Sequence, residues 1–433
     1  MPQAPIHQLA PELTDDIIDV VSALDCRNRC LKACALTCRA FRPRSQMHIF
    51  SRINFSSDIG KQGYRDQRIK KLLDILRCST NIVNYVGAIH LSISSYDSGW
   101  IAEDPLFLTL MTRLNELGCR PEEFSTEGLD PFIPQAFPDT PHRPMCFYEN
   151  VFRPFFAPYI TSLRLSTVNN VPPIVISSCI NLARLRLICT DLNTTDGQLM
   201  LEDSYPMIET LEFDRPIGAM KTILDDFEDR IALVDLSRLR VLRSTINSQN
   251  APYVRKIIRE SADYLEEARF CCSSKYGSFY YAEKDEVISP FDFSCVPRLR
   301  VLAVTMAVDT TPMFQTAYKI RENICTILKS IRSANIFERL SFCAYLDIDE
   351  FKSFFKDDRG WDVFDSEVIR VASGKPLILG FALHVLSSLP YLQGDSDEPS
   401  IRALIGLVRT RVPLSASSSN ITLEVYTYQE HSL

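Results

Sequence analysis

The sequence predicts an α/β protein: a short helical N-terminus followed by a solenoid of strand–helix units carrying a parallel sheet. Three observations predict it. A pattern apolar-x-x-apolar-x-apolar recurs along the chain, and its last two apolar positions alternate as in a short strand with one buried face. Segments of helical periodicity separate the copies, and strand–helix repetition of this kind gives parallel strands with helices on the outer side. The opening forty or so residues lack this pattern and carry two helical stripes instead.

In the N-terminal stretch Leu13, Ile17, Val20, Val21 and Leu24 recur at helical spacing. Pro11 suits the first helical position, and Glu12, Asp15 and Asp16 suit the positive end of the helix dipole. Leu31, Cys34, Ala35 and Cys38 repeat the stripe in a second helix, which Pro43 is expected to end. Ile18 and Leu36 lie off both stripes. So short a segment rarely stabilises itself, so its apolar surface must be covered by the rest of the chain, by a partner, or by both.

These residues carry a family resemblance. Leu9, Pro11, Glu12, Leu13, Ile17 and Ile18, followed by Cys34, Ala35, Leu36, Cys38, Arg39, Phe41, Arg42 and Pro43, resemble an F-box, especially the F-box-like domains of the expanded fungal families. The resemblance covers residues 5–55; the usual Leu-Pro start is here Leu9-Ala10-Pro11. It implies docking on the small adaptor subunit of a cullin–RING ubiquitin ligase. The adaptor-facing residues it implies are Leu9, Pro11, Leu13, Ile17, Ile18, Leu36, Cys38 and Phe41. The plainer reading is a helical hairpin closing the end of a larger domain.

The repeats begin at Val86-x-x-Ile89-x-Leu91 and continue at Ile160-x-x-Leu163-x-Leu165 and Leu182-x-x-Leu185-x-Leu187. Ile208-x-x-Leu211-x-Phe213 and Leu239-x-x-Leu242 follow, the latter broken at Ser244. Leu265-x-x-Ala268-x-Phe270, Leu299-x-x-Leu302-x-Val304 and Phe337-x-x-Leu340-x-Phe342 complete the series. Middle positions from Leu163 onward are 22, 26, 31, 26, 34 and 38 residues apart. Helix candidates run over 220–231, 253–262 and 320–331, and 421–428 reads as a last alternating strand. The array, placed at 80–433, resembles the degenerate leucine-rich repeats that often follow an F-box, without their regular turn-lining Asn or Cys. A three-layer α/β sandwich is the alternative. Eight prolines between Pro121 and Pro158 are read as an insertion at about 118–158, either a loop or a target-contacting flap.

Composition bounds the function. The chain has 433 residues, 46% hydrophobic and 23% charged, with a net charge of −7, which argues against a nucleic-acid footprint over the whole surface. Arg27, Arg29, Lys32, Arg39, Arg42, Arg44 and Arg52 nevertheless form a basic N-terminal group, read as a solvated face or as a surface steering toward an acidic partner. No secretory signal or bilayer-spanning run is found, so a cytoplasmic or nuclear location with reduced cysteines and no membrane partner is expected.

No phosphate-binding glycine motif occurs, and His7, His48, His90, His142, His384 and His431 are scattered. Cys26, Cys30, Cys34 and Cys38 recur every fourth residue, but on one helix they climb about 6 Å per step and cannot converge on one tetrahedral ion. The acidic groups at Asp225–Asp229 and Asp347–Glu350 read as solvated helix faces or caps. No catalytic residue, metal or cofactor is expected. The resulting expectation is a substrate-recognition subunit of an SCF-type ligase, bound through an adaptor to a cullin and holding an unidentified protein target. A non-ligase binding scaffold is the alternative, and an α/β enzyme the less favoured one.

Overall fold

The computed structural model describes residues 9–24, 28–56, 62–93, 100–128, 135–136, 147–193, 205–214, 217–224, 233–246, 250–271, 291–307, 313–332, 336–346, 360–385 and 398–429. The acidic groups at Asp225–Asp229 and Asp347–Glu350, with Cys26 and Arg27, lie outside these residues. The chain forms two compact units, 1–186 with 190–206 and 187–189 with 207–433. The architecture is α/β, with parallel strands, intervening helices and a helical N-terminus.

The first unit opens with three helices, α1 (Pro11–Leu24), α2 (Arg29–Thr37) and α3 (Arg42–Phe50). Pro43 does not end α2; it sits in the first turn of α3, where a missing N–H costs nothing. Strands β1 (Arg52–Ser56), β2 (Ala88–Ile93) and β3 (Glu123–Gly128) follow, then the two-residue β4 (Gln135–Ala136). Next come β5 (Ser162–Ser166), the two-residue β6 (Val168–Asn169) and β7 (Arg184–Ile188), within which the two units divide. β1, β2, β3 and β5 pair in parallel and in chain order, and β4 pairs with β6 separately.

The repeat pattern sets the register. Ile53 stands beside Ile89, Ile89 beside Phe124 and Phe124 beside Leu163. Two residues on, Phe55, Leu91, Thr126 and Leu165 form a second buried row. Each strand is entered through one shared carbonyl. The Ser51 oxygen accepts the N–H groups of Gly87 and Ala88, that of Gly87 those of Glu122 and Glu123, and that of Glu122 those of Thr161 and Ser162. The Thr161 oxygen then accepts from Ala183 and Arg184, so the corner of every repeat satisfies the next one's donors.

Helices close the buried side. Residues Gln62–Cys78 turn Ile69, Leu73 and Leu76 inward at helical spacing. Pro105–Glu116 is capped by Asp104, whose Oδ1 accepts the N–H of Leu106 at 2.8 Å, and buries Phe107, Leu110, Met111 and Leu114.

The segment expected as an insertion at 118–158 is built differently. β3 lies within it and pairs on both sides, while 129–134 and 137–146 fall outside the described residues. Its later part supplies core: Phe147, Phe152 and Phe156 pack on the Phe124 ring with centroids 6.3, 5.3 and 4.5 Å away. Proline excludes regular strand only where it sits, and four buried aromatic rings bind the intervening turns to the sheet.

The second unit repeats the scheme in β8 (Thr210–Asp214), β9 (Val241–Thr245), β10 (Glu267–Cys271) and β11 (Val301–Ala307). β12 (Arg339–Leu346), β13 (Leu377–Val385) and β14 (Ile421–Gln429) complete it. Neighbours pair in parallel throughout, aligning Leu211, Leu242, Ala268, Leu302, Leu340, Leu379 and Leu423 in one row. The helices expected over 253–262 and 320–331 occur as Ala251–Glu260 and Met313–Ser330, and that over 220–231 begins as Ile217–Leu224, its 225–231 part lying outside the described residues. Among the described residues no helix is long and apolar enough to cross a membrane.

Candidate functional site: an outward apolar helix face

The N-terminal helices are held together by a small interior and one charged clamp. Thr14 and Ile18 of α1, Leu31 of α2 and Ser45 of α3 are buried. Asp19 lies on the same side of α1 and accepts two hydrogen bonds from Arg44, Nε to Oδ1 at 2.7 Å and Nη2 to Oδ2 at 2.6 Å. His48 Nε2 is 2.7 Å from Asp19 Oδ1. The Arg44 fork, then His48, hold the Asp19 carboxyl far below the usual carboxylate range. α3 packs on the 3₁₀ turn Thr80–Tyr85 and on β1, which ties the helices to the first repeat.

The apolar stripe of α1 points the other way. Leu9, Leu13, Ile17, Val20 and Leu24 are all exposed, from 41% at Leu9 to 81% at Leu24, and Leu36 of α2 is 83% exposed. No described residue of the chain covers this row. Val21 alone of the predicted stripe is half-buried. Scattered apolar residues on a surface need no explanation, but a row on one helix face marks a site of association.

The residues that the family resemblance singles out therefore divide. Leu9, Pro11, Leu13, Ile17 and Leu36 are exposed, and Cys38 and Phe41 are half-buried at the turn between α2 and α3. Ile18 is a correction: it is fully buried, because its position on α1 faces α2 and α3, and a partner cannot reach it. Sequence periodicity missed the clamp of Asp19, Arg44 and His48, since residues 25 and 29 positions apart leave no local pattern.

The basic group also divides. Arg44 is engaged by Asp19, and Arg52 donates to Glu123 at 2.7 Å. Arg29, Lys32, Arg39 and Arg42 are exposed and make no ion pair among the described residues. Cys30, Cys34 and Cys38 are joined in no disulfide, and among the described residues no group of three or more ligating side chains could hold a metal ion. The arrangement supplies an outward apolar row on α1 and exposed basic side chains on α2, at the turn after it and at the start of α3, which is suited to binding a protein. Compared with known proteins, the chain is matched by no protein-family model and by no curated protein sequence.

Proposed function

We propose that this chain is the substrate-recognition subunit of an SCF-type cullin–RING ubiquitin ligase, with α1 and α2 docking on the adaptor subunit and the repeats binding the target. The observation that carries the reading is the outward row Leu9, Leu13, Ile17, Val20 and Leu24, with Leu36 exposed on α2. Burial of such side chains stabilises a complex by about 1.5–3 kcal/mol each when complete. A few anchors of this kind dominate an interface. Arg29, Lys32, Arg39 and Arg42 would speed encounter with an acidic partner more than they would tighten it. The function is proximity: a target held on the repeats meets the ligase's charged enzyme at raised effective concentration, and no residue of this chain takes part in bond making.

The test is co-elution of the purified full chain with a recombinant adaptor–cullin pair. The wild-type chain is expected to co-elute, and the double variant Leu13→Asp with Ile17→Asp to lose the complex while melting at an unchanged temperature. Both substitutions fall on exposed side chains, so the fold is spared. A wild-type chain that never co-elutes with the pair overturns the proposal.

A further inference from the structure

The second unit leaves its last strand open. β14 pairs with β13 on one side and with no described strand on the other. Core rows come to the surface there. The row that runs through Leu211, Leu242, Leu302, Leu340 and Leu379 is 0% exposed at each of these positions, and it ends at Leu423, which is half-buried. Two residues on, Val304, Phe342 and Phe381 are buried, and the row ends at half-buried Val425. A stack of repeats ordinarily closes its ends with a polar outer face, whereas this end carries core side chains to water.

The backbone is open along the same edge. The Leu377 N–H donates to the Asn420 oxygen, and the Ile378 N–H turns the other way, to the Glu338 oxygen of the preceding repeat. Leu377 stands beside Ile421, so in this parallel pair the peptide groups that reach β13 belong to Asn420, Thr422, Glu424 and Tyr426. Those of Leu423, Val425 and Thr427 point away from β13, and among the described residues nothing bonds them. Long sheet edges are ordinarily blunted by Lys, Pro, a bulge or a stray charge. β14 holds one continuous register with β13 from Ile421 to Gln429, with neither Lys nor Pro. Its one charged residue, Glu424, lies 3.4 Å from Arg339, on the sheet rather than at the edge.

We infer that β14 pairs antiparallel with β14 of a second copy of this chain, about a two-fold axis at Val425. The occupant of this edge must bring open peptide groups and, on the buried side of the sheet, apolar residues at alternate positions. β14 supplies both to its own copy. With the axis at Val425, Val425 faces the copy's Val425 and Leu423 faces the copy's Thr427. Outward groups then meet outward groups in about six hydrogen bonds. Charge complementarity sets the register. Glu424 falls opposite the copy's Tyr426, and each carboxylate keeps its own Arg339. A slip of two residues would oppose the two Glu424 side chains and is disfavoured by like charge. The pairing does not depend on the ligase reading: α1 belongs to the first unit and β14 to the second.

The test is sedimentation of the purified full chain from about 1 to 100 μM, with amide hydrogen exchange followed over the same range. The wild-type chain is expected to pass from monomer to dimer. The amides of Leu423, Val425 and Thr427 are expected to slow as it does so, whereas those of Thr422, Glu424 and Tyr426 exchange slowly throughout. Thr427→Pro deletes an outward N–H and spares the ladder to β13, so it is expected to raise the dissociation constant at least about tenfold while the dilute protein melts as wild type does. Leu13→Asp with Ile17→Asp is expected to dimerise normally. A wild-type chain that stays monomeric overturns the inference, as do Leu423, Val425 and Thr427 amides indifferent to concentration. These two readouts use the wild-type chain and need no variant to fold. A dimer lost in the α1 double variant and kept in Thr427→Pro also overturns it, in favour of association through the α1 stripe.

Discussion

Ile17 and Ile18 are neighbours on α1 and face opposite environments: Ile17 is 44% exposed, whereas Ile18 is completely buried against α2 and α3. One hundred degrees of helix rotation separates a residue that holds the hairpin together from one left for a partner.

That difference predicts opposite outcomes for the same substitution. Ile18→Ala deletes buried methylenes and leaves a cavity, and is expected to cost about 2–5 kcal/mol in urea denaturation. Ile17→Ala changes a solvated side chain and is expected to stay within about 0.5 kcal/mol of wild type. In adaptor co-elution the order reverses for correctly folded protein: Ile17→Ala weakens the complex, and Ile18→Ala acts only through unfolding. Equal destabilisation by both would mean that the α1 stripe is packed inside.

The two isoleucines also show what a sequence can reveal. Periodicity located α1 and its stripe, since spacing is a local property of the chain. It could not say which way the stripe turns, because that depends on Leu31 and on the clamp from Arg44 and His48 to Asp19. In the repeats, the middle positions from Leu163 to Leu340 were legible because aliphatic residues fill them and Ala268 is their one small member. β1 was overlooked because Phe50, Ile53 and Phe55 follow directly on the helical N-terminus, and so was β3, where polar residues and prolines surround Phe124.

A second prediction concerns the alternating charges at the strand entrances of the second unit. Glu266 accepts from Arg240 Nε at 3.1 Å and Nη2 at 3.0 Å, and Arg300 bonds Glu338 at 3.0 and 2.8 Å. Arg300 Nη1 also lies 3.9 Å from Glu266, so the row reads Arg240, Glu266, Arg300, Glu338 with alternating sign. The Arg240 hydrogen bonds hold the Glu266 carboxyl below its ordinary range. These groups are partly solvated, so Glu266→Gln is expected to cost no more than about 1 kcal/mol. Glu266→Lys sets three cations in a row and should cost more than Glu266→Gln. The gap between the two variants should narrow in 1 M salt, where the Debye length falls to about 3 Å. A gap indifferent to salt would show that packing, not charge, distinguishes them.

A third prediction follows from His90. Burial pushes its imidazole below the ordinary value of 6.5, with Glu127 and Glu123 pulling upward and Arg52 and Arg164 downward. A lowered folded-state value means that the unfolded chain takes up the proton first as pH falls through about 6.5. Protonation then favours unfolding, so His90 lowers stability on the acid side of that value and has no pH-dependent effect above it. Thermal melts between pH 7.5 and pH 5 are expected to fall more steeply for wild type than for His90→Gln. Parallel slopes for the two proteins would show that His90 titrates alike in the folded and unfolded chain.

The last prediction rests on Thr126. It occupies the row of Phe55, Leu91 and Leu165 on β3, is fully buried, and its Oγ1 has no hydrogen-bond partner among the described residues. A buried hydroxyl without a partner loses its hydration and gains nothing in return. Thr126→Val keeps the branched shape, replaces that hydroxyl with a methyl group, and supplies the apolar residue the repeat has elsewhere in this row. It is expected to raise stability by about 1 kcal/mol, read as a higher urea midpoint at an unchanged slope. The companion variant Thr126→Ala removes the methyl as well and should destabilise, because the site then holds a void. If Thr126→Val were destabilising instead, the hydroxyl would have to be bonded to a buried water within the sheet, and the row would be a polar position by construction.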